Sequence, residues 1–112
     1  MAEENAGVTD QDGRLRVDVT VVGRRPAGVT ALDSPLVEAA IAATRVSGVE
    51  PEVTASSTDA NLPMSLGIPA ITLGAGGSAG AVHTTDEWYH NGNGSIGIQR
   101  ALHTVLLVSG LD

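Results

Sequence analysis

The chain has 112 residues, which is the size of one small domain. Its formal net charge of −7 argues against binding to a phosphate backbone, and the absence of lysine excludes a P-loop, whose motif requires that residue. The absence of cysteine excludes disulfides and thiolate chemistry. No apolar run approaches the roughly 18 residues of a membrane span, and the acidic start shows no signal peptide, so we expect a cytoplasmic protein.

The first part of the chain is polar and then alternating. Residues 1–13 show no periodicity, which predicts a flexible leader. Residues 14–22 alternate between polar and apolar side chains, which predicts a half-buried and antiparallel strand. A break at 23–31 follows, and Ser34 is then expected to cap a helix over 34–47.

The second part alternates short apolar runs with helical patterns. We expect strands at 52–55 and 69–73, separated by a polar turn and a short helix that ends near Leu66. A glycine-rich loop at 74–80 then precedes a final helix at 95–109. Helices that alternate with strands are typical of an α/β fold with parallel strands. The alternating strand near the start does not fit this order, and we interpret it as part of a neighbouring sheet.

Both long helices have an apolar stripe at helical spacing, which is the side expected to pack on the sheet. In the first helix the stripe consists of Leu36, Val37, Ala40, Ile41 and Ala43. In the last helix, which Ser95 is expected to cap, it consists of Ile98, Leu102, Val105 and Leu106.

Three polar clusters fall in predicted loops. The first, STDAN at 57–61, follows a predicted strand, where α/β folds bind ligands, although a side chain there could equally cap the next helix. The second, HTTDE at 83–87, could bind a metal through its histidine, with a carboxylate orienting the other ring nitrogen. It could also be a surface histidine beside a helix start. The third, RRPAG at 24–28, is either a carboxylate clamp or a solvated basic pair.

The glycine loop also contains a formal match to a nucleotide-binding motif. Residues 74–79 (GAGGSA) fit the dinucleotide fingerprint G-x-G-x-x-G/A. Residues 80–83 do not open an amphipathic helix, and no acidic residue follows at a strand end about 20 positions on. The match therefore does not predict nucleotide binding.

Three stretches together resemble a known enzyme family. They are STDANLPMSLGIPAITLGAGG at 57–77, HTTDEWY at 83–89 and VTVVGRRPAG at 19–28. They are similar in order and spacing to the last part of the catalytic domain of the di-zinc amidohydrolases. These are the aminoacylase, acetylornithine deacetylase, succinyl-diaminopimelate desuccinylase, tripeptidase and carboxypeptidase-G group of metallopeptidase family twenty. The resemblance covers about residues 14–111.

The resemblance implies a division of the chain and a fold for each part. Residues 1–13 would be a leader, 14–24 a strand left from the inserted lid domain, and 25–112 the carboxy-terminal part of the catalytic domain. That catalytic domain is a parallel-strand sheet with helices, of the di-zinc exopeptidase type. Family members often form homodimers through the lid.

The resemblance also implies a site. Two zinc ions share a bridging carboxylate and activate a water for attack on an amide carbonyl, with a nearby Glu as general base. His83 matches the last zinc ligand, and Arg25 matches the arginine that binds the free carboxylate of the substrate. The loop that touches the substrate would contribute Ser57, Thr58, Asp59 and Asn61. Asp86 and Glu87 would either contact the metal ligands without binding the metal themselves or have a structural role.

The rest of this machinery is not in the sequence. The family's H-x-D motif is absent. The Glu-Glu pair that contains the general base is absent too, because the pair Glu3-Glu4 lies in the leader. We therefore expect a fragment of a hydrolase that cleaves amide bonds in small peptides or N-acyl amino acids. Alone it would be inactive and bind zinc weakly at most, because the amino-terminal half is missing. The alternative is a non-enzymatic remnant or split-enzyme subunit that binds a carboxylate-bearing small molecule or a partner chain. A plain α/β module without a site is the third interpretation.

Overall fold

Regular structure in the computed structural model, which describes residues 13–110, consists of three helices and one hairpin. The helices are α1 (Pro35–Val46), α2 (Asn61–Ser65) and α3 (Gly94–Val108). The strands β1 (Ser78–Gly80) and β2 (Trp88–His90) pair antiparallel, with Ser78 opposite His90. The chain is therefore a mixed α/β protein with a small antiparallel sheet. Most of the predicted leader lies outside the described residues.

Helix α1 begins and ends where the sequence predicts. The Ser34 Oγ accepts a hydrogen bond from the Val37 N–H at 3.3 Å, and Pro35 occupies the first helical position, where no N–H is needed. The helix ends before Gly48, whose φ of 80° is the left-handed conformation that stops a helix. The prediction of a helix at 34–47 is confirmed to within one residue at each end.

Helices α1 and α3 pack against each other and contain the buried residues of the described chain. Most of these residues are small, and Gly94 and Gly97 lie against Asn91 and Ala75. Helix α1 buries Val37, Ala40, Ala43 and Thr44, and α3 buries Gly94, Gly97 and Thr104. The two buried threonine hydroxyls donate to the carbonyl four residues earlier, at 2.7 and 2.8 Å, so neither is left unsatisfied.

The predicted apolar stripe of α3 does not face α1. Ile98 is 72% exposed, Leu102 and Val105 are also exposed, and only Leu106 is half-buried. The helix starts at Gly94 with Asn93 as its N-cap, so Ser95 lies inside it and does not cap it. Periodicity located the apolar stripe correctly but could not show which partner would cover it.

The predicted strands at 52–55 and 69–73 are wrong for the described residues, and so is the parallel sheet that they would form. A strand needs a neighbouring strand for its backbone hydrogen bonds, and neither segment has one within residues 13–110. The N–H and C=O of Ala70 bond instead to the Thr30 Oγ1, at 3.0 and 2.6 Å. The glycine loop and the segment after it, which were expected to be irregular, contain the hairpin.

The segment at 14–22 is exposed along its whole length and forms no strand either. Arg16 and Asp18 lie on the same side of it, with the Arg16 Nε 3.2 Å from an Asp18 carboxylate oxygen, as expected for alternating residues of an extended chain. Both side chains are more than half exposed, so the pair adds little stability. Its alternating valines are exposed as well.

Much apolar surface is uncovered. The accessible surface is 8886 Å², against about 5,700 Å² for a folded monomer of this mass. The exposed apolar residues include Val22, Val29, Leu32 and Leu66 as well as the stripe on α3. No helix among the described residues is both long and apolar enough to cross a membrane.

Candidate functional site

Two of the predicted polar clusters meet in space. The Arg25 Nη1 donates to the Ser57 Oγ at 3.2 Å, and its Nη2 donates to the Asp59 Oδ1 at 3.3 Å. These contacts join residues that are 32 and 34 positions apart in the sequence. The Asp59 side chain is fully exposed and that of Arg25 is 46% exposed, so this ion pair is solvated and easily exchanged.

The loop at 57–61 is shaped by two of its own side chains. The Asn61 Oδ1 accepts from the Thr58 N–H at 3.0 Å, and the Thr58 Oγ1 accepts from the Ala60 N–H at 3.2 Å. These bonds form the turn that precedes α2, whose N-cap is Ala60, so the expected alternative of a side-chain cap on this helix is wrong. Ser57 and Asp59 are then the two members of the loop that contact Arg25.

Further contacts bind the arginine segment to this loop. The Asn61 Nδ2 donates to the Pro26 carbonyl at 3.0 Å. The backbone at Gly28 lies directly on α2: a Cβ at this position would be 2.5 Å from the Met64 Cβ. The hydroxyls of Thr58 and Thr72 are 2.7 Å apart. Arg25 thus already contacts the 57–61 loop in this structure.

An open cleft of about 340 Å³ lies at this junction. It is lined by Arg24, Arg25, Pro26, Thr58, Asp59 and Leu62. The lining therefore combines cationic, anionic and hydroxyl-bearing residues with two apolar ones. Guanidinium groups recognise carboxylates through paired N–H donors, so the arrangement is suited to an anionic small molecule.

His83 lies in the loop that connects β1 and β2 and does not line the cleft. Its φ is 65° and that of Ala81 is 50°, so two residues with side chains adopt the left-handed conformation within three positions. The His83 ring is exposed and makes no hydrogen bond to any residue in the described range. No pattern in the sequence indicated this strained backbone.

Thr84 holds the His83 loop in shape. Its Oγ1 donates to the Ala81 carbonyl at 2.6 Å and accepts from the Asp86 N–H at 3.3 Å. The Glu87 N–H donates to the Thr84 carbonyl at 3.3 Å. The contacts of Asp86 and Glu87 thus come from their backbones, and both side chains are exposed.

The other two histidines have different surroundings. His90 ends β2, and its Nδ1 accepts from the Gly92 N–H at 3.3 Å. His103 is half-buried on α3, and its Nδ1 is buried without a hydrogen-bond partner. Nowhere between residues 13 and 110 do three histidine or acidic side chains come together as a metal site would require.

Comparison with known proteins adds no relative. The chain matches no protein-family model, and no curated protein matches it significantly.

Proposed function

We propose that this chain is the carboxy-terminal part of a zinc-dependent hydrolase that cleaves amide bonds in small peptides or N-acyl amino acids. Its part in the reaction is to bind the free carboxylate of the substrate and to supply one metal ligand. The observation that carries the proposal is the position of Arg25, which contacts Ser57 and Asp59 at the edge of a cleft. Both segments belong to the stretches that carry the family resemblance.

The chemistry of Arg25 supports a binding role. A guanidinium has five N–H donors, and the contacts to Ser57 and Asp59 use two of them. The remaining donors can take a carboxylate in the two-point geometry that arginine favours. Because Pro26 fixes its own φ and its carbonyl accepts from Asn61, the backbone beside Arg25 is restrained before any ligand arrives.

The residues present do not make a zinc site by themselves. A catalytic zinc takes about three protein ligands, and no group of three candidate ligands forms within residues 13–110. His83 is an exposed imidazole with both nitrogens unengaged, so it fits the role of one ligand among several. When bound, the zinc ions would polarise the amide carbonyl and lower the pKa of a bound water to about 7. The remaining ligands and the general base have to come from outside residues 13–110.

The uncovered apolar surface also supports the proposal. Ile98, Leu102 and Val105 form an exposed stripe on α3, and an apolar stripe of this kind is normally covered. The segment at 52–55 takes part in no backbone–backbone hydrogen bond within residues 13–110, so its backbone groups are available to a strand from elsewhere. A larger catalytic domain would cover the stripe and complete a sheet of the di-zinc exopeptidase type.

Complementation tests the proposal directly. The chain is mixed with the amino-terminal half of a di-zinc amidohydrolase that carries the H-x-D motif and the Glu-Glu pair, and hydrolysis of N-acetyl amino acids is measured. We expect zinc-dependent turnover from the mixture and none from the chain alone. His83→Ala should abolish this turnover, whereas His103→Ala should leave it nearly intact. Chelator-sensitive turnover by the pure chain, or full activity of His83→Ala, would contradict the proposal.

A second function is favoured by one observation. The residues that line the cleft are already assembled, with Arg25 hydrogen-bonded to Ser57 and Asp59, so carboxylate binding here does not depend on a metal site. A non-enzymatic subunit that binds a small carboxylic acid would need only this feature. Carboxylate binding that depends on Arg25, combined with failure of every complementation mixture, would favour this second function.

A further inference from the structure

We propose that Arg24 is a second anion anchor in the cleft and that the preferred ligand carries two acidic groups. The inference rests on the carboxylate-binding role proposed for Arg25. Arg24 and Arg25 line the same cleft although they are neighbours in sequence, and only Arg25 has a partner. No described residue forms a hydrogen bond or an ion pair with Arg24.

The charge of the cleft differs from that of the whole chain. Its lining residues include two arginines and one aspartate, whereas the chain has a formal net charge of −7. A locally positive cleft in an acidic protein attracts anions to that place, while the rest of the surface repels them. The geometry therefore directs an anionic ligand to both arginines.

The carboxylate of Asp59 is loosely held. Its distance of 3.3 Å from the Arg25 Nη2 exceeds the 2.7–2.9 Å typical of a charge-assisted hydrogen bond, and the side chain is fully exposed. An incoming carboxylate can displace it at little cost, since Asp59 then becomes solvated. Once Asp59 has moved away, two positive groups face the ligand, and a ligand with two carboxylates complements both of them.

The test compares glutarate with pentanoate, two five-carbon acids that differ by one carboxylate. Binding to the ¹⁵N-labelled chain is followed at constant ionic strength through the backbone amides of Thr58 and Asp59. We expect glutarate to bind about fivefold more tightly than pentanoate, because an exposed charge pair contributes at most about this factor to binding. Arg24→Gln should reduce this preference to near one and change the pentanoate affinity less than twofold. Arg45→Gln, which removes the same charge from the exposed end of α1, should leave the preference unchanged.

The outcomes separate the two proposals. If Arg24→Gln keeps the full preference for glutarate while Arg25→Gln weakens both acids, the second anchor is refuted and the role of Arg25 stands. If neither acid binds, or if Arg25→Gln weakens neither, both proposals are refuted. If Arg24→Gln loses the preference for glutarate and Arg45→Gln keeps it, the second anchor is supported.

Discussion

Two regions of this chain are held together by different kinds of contact. In the first, the glycine region (residues 74–97), backbones touch where no side chain would fit: a Cβ on Gly97 would lie 2.1 Å from the Ala75 carbonyl oxygen. A Cβ on Gly76 would likewise lie 2.7 Å from the Asn93 carbonyl oxygen. In the second, the cleft region (residues 24–30 and 57–72), the contacts are mostly hydrogen bonds of polar side chains.

The two kinds of contact differ in how easily they are broken. Backbone atoms in direct contact cannot move apart without unfolding the turn or helix to which they belong. Exposed polar side chains exchange partners with water at little cost. The region that keeps a fixed shape therefore positions the His83 loop, and the region that can exchange contacts contains the cleft.

The largest effect is expected for Gly97→Ala. In an ordinary exposed helix this change would stabilise by about 1 kcal/mol, because alanine has the higher helix propensity. Here the new Cβ would clash with the backbone at Ala75 and Gly76, neither of which can rotate away. We expect a net loss of about 3 kcal/mol in the free energy of unfolding, measured by urea denaturation.

Gly23→Ala is the matched control for this substitution. Gly23 has open space where the Cβ would be, and its φ lies outside the left-handed region. Its substitution should change the free energy of unfolding by less than about 0.5 kcal/mol. A stabilised Gly97→Ala would show that the glycine loop does not lie against α3 in solution.

A smaller effect is expected for the same type of change in the cleft region. A Cβ on Gly28 would lie 2.5 Å from the Met64 Cβ and 2.7 Å from the Met64 carbonyl carbon. The segment around Gly28 is exposed and can shift away, so we expect Gly28→Ala to cost only about 1–2 kcal/mol. The shift should move Arg25 and weaken pentanoate binding. Unchanged stability together with unchanged pentanoate affinity would contradict this contact.

The elements that could be predicted from the sequence are those with local causes. Ser34 and Pro35 specify the start of α1 by their own hydrogen bonding and geometry, so this boundary was predicted closely. The family resemblance assigned a substrate-binding role to Arg25 and to the 57–61 loop; these residues touch, and the role itself stays a prediction. It also assigned the metal-ligand role of His83, which stays a prediction.

The remaining features depend on contacts that no local pattern reports. The hairpin was missed because its strands have only three residues each and one of them ends in glycine. Gly80 lies opposite Trp88, and a Cβ there would be 2.6 Å from the Trp88 Nε1, so the indole covers the glycine. An aromatic residue paired with a cross-strand glycine is a known device of sheets, but it is recognisable only once the pairing is known. The contacts of Thr30 with Ala70 and of Gly28 with Met64 were missed for the same reason.

The smallest effect in stability is expected for His83→Gly, and its sign distinguishes strain from ordinary packing. The left-handed conformation costs a residue with a side chain about 1 kcal/mol, and glycine avoids most of that cost at some expense in chain entropy. Because His83 has a φ of 65°, His83→Gly should therefore raise the free energy of unfolding by about 0.5 kcal/mol. His90→Gly, in the ordinary backbone of β2, should instead lose about 0.5–1 kcal/mol. In thermal denaturation, the melting temperatures of the two variants should therefore shift in opposite directions.

In the complementation mixture His83→Gly should nonetheless be inactive, as expected if strain at this position is retained for a functional imidazole. Equal destabilisation by both substitutions would show that the loop does not hold His83 in the left-handed conformation.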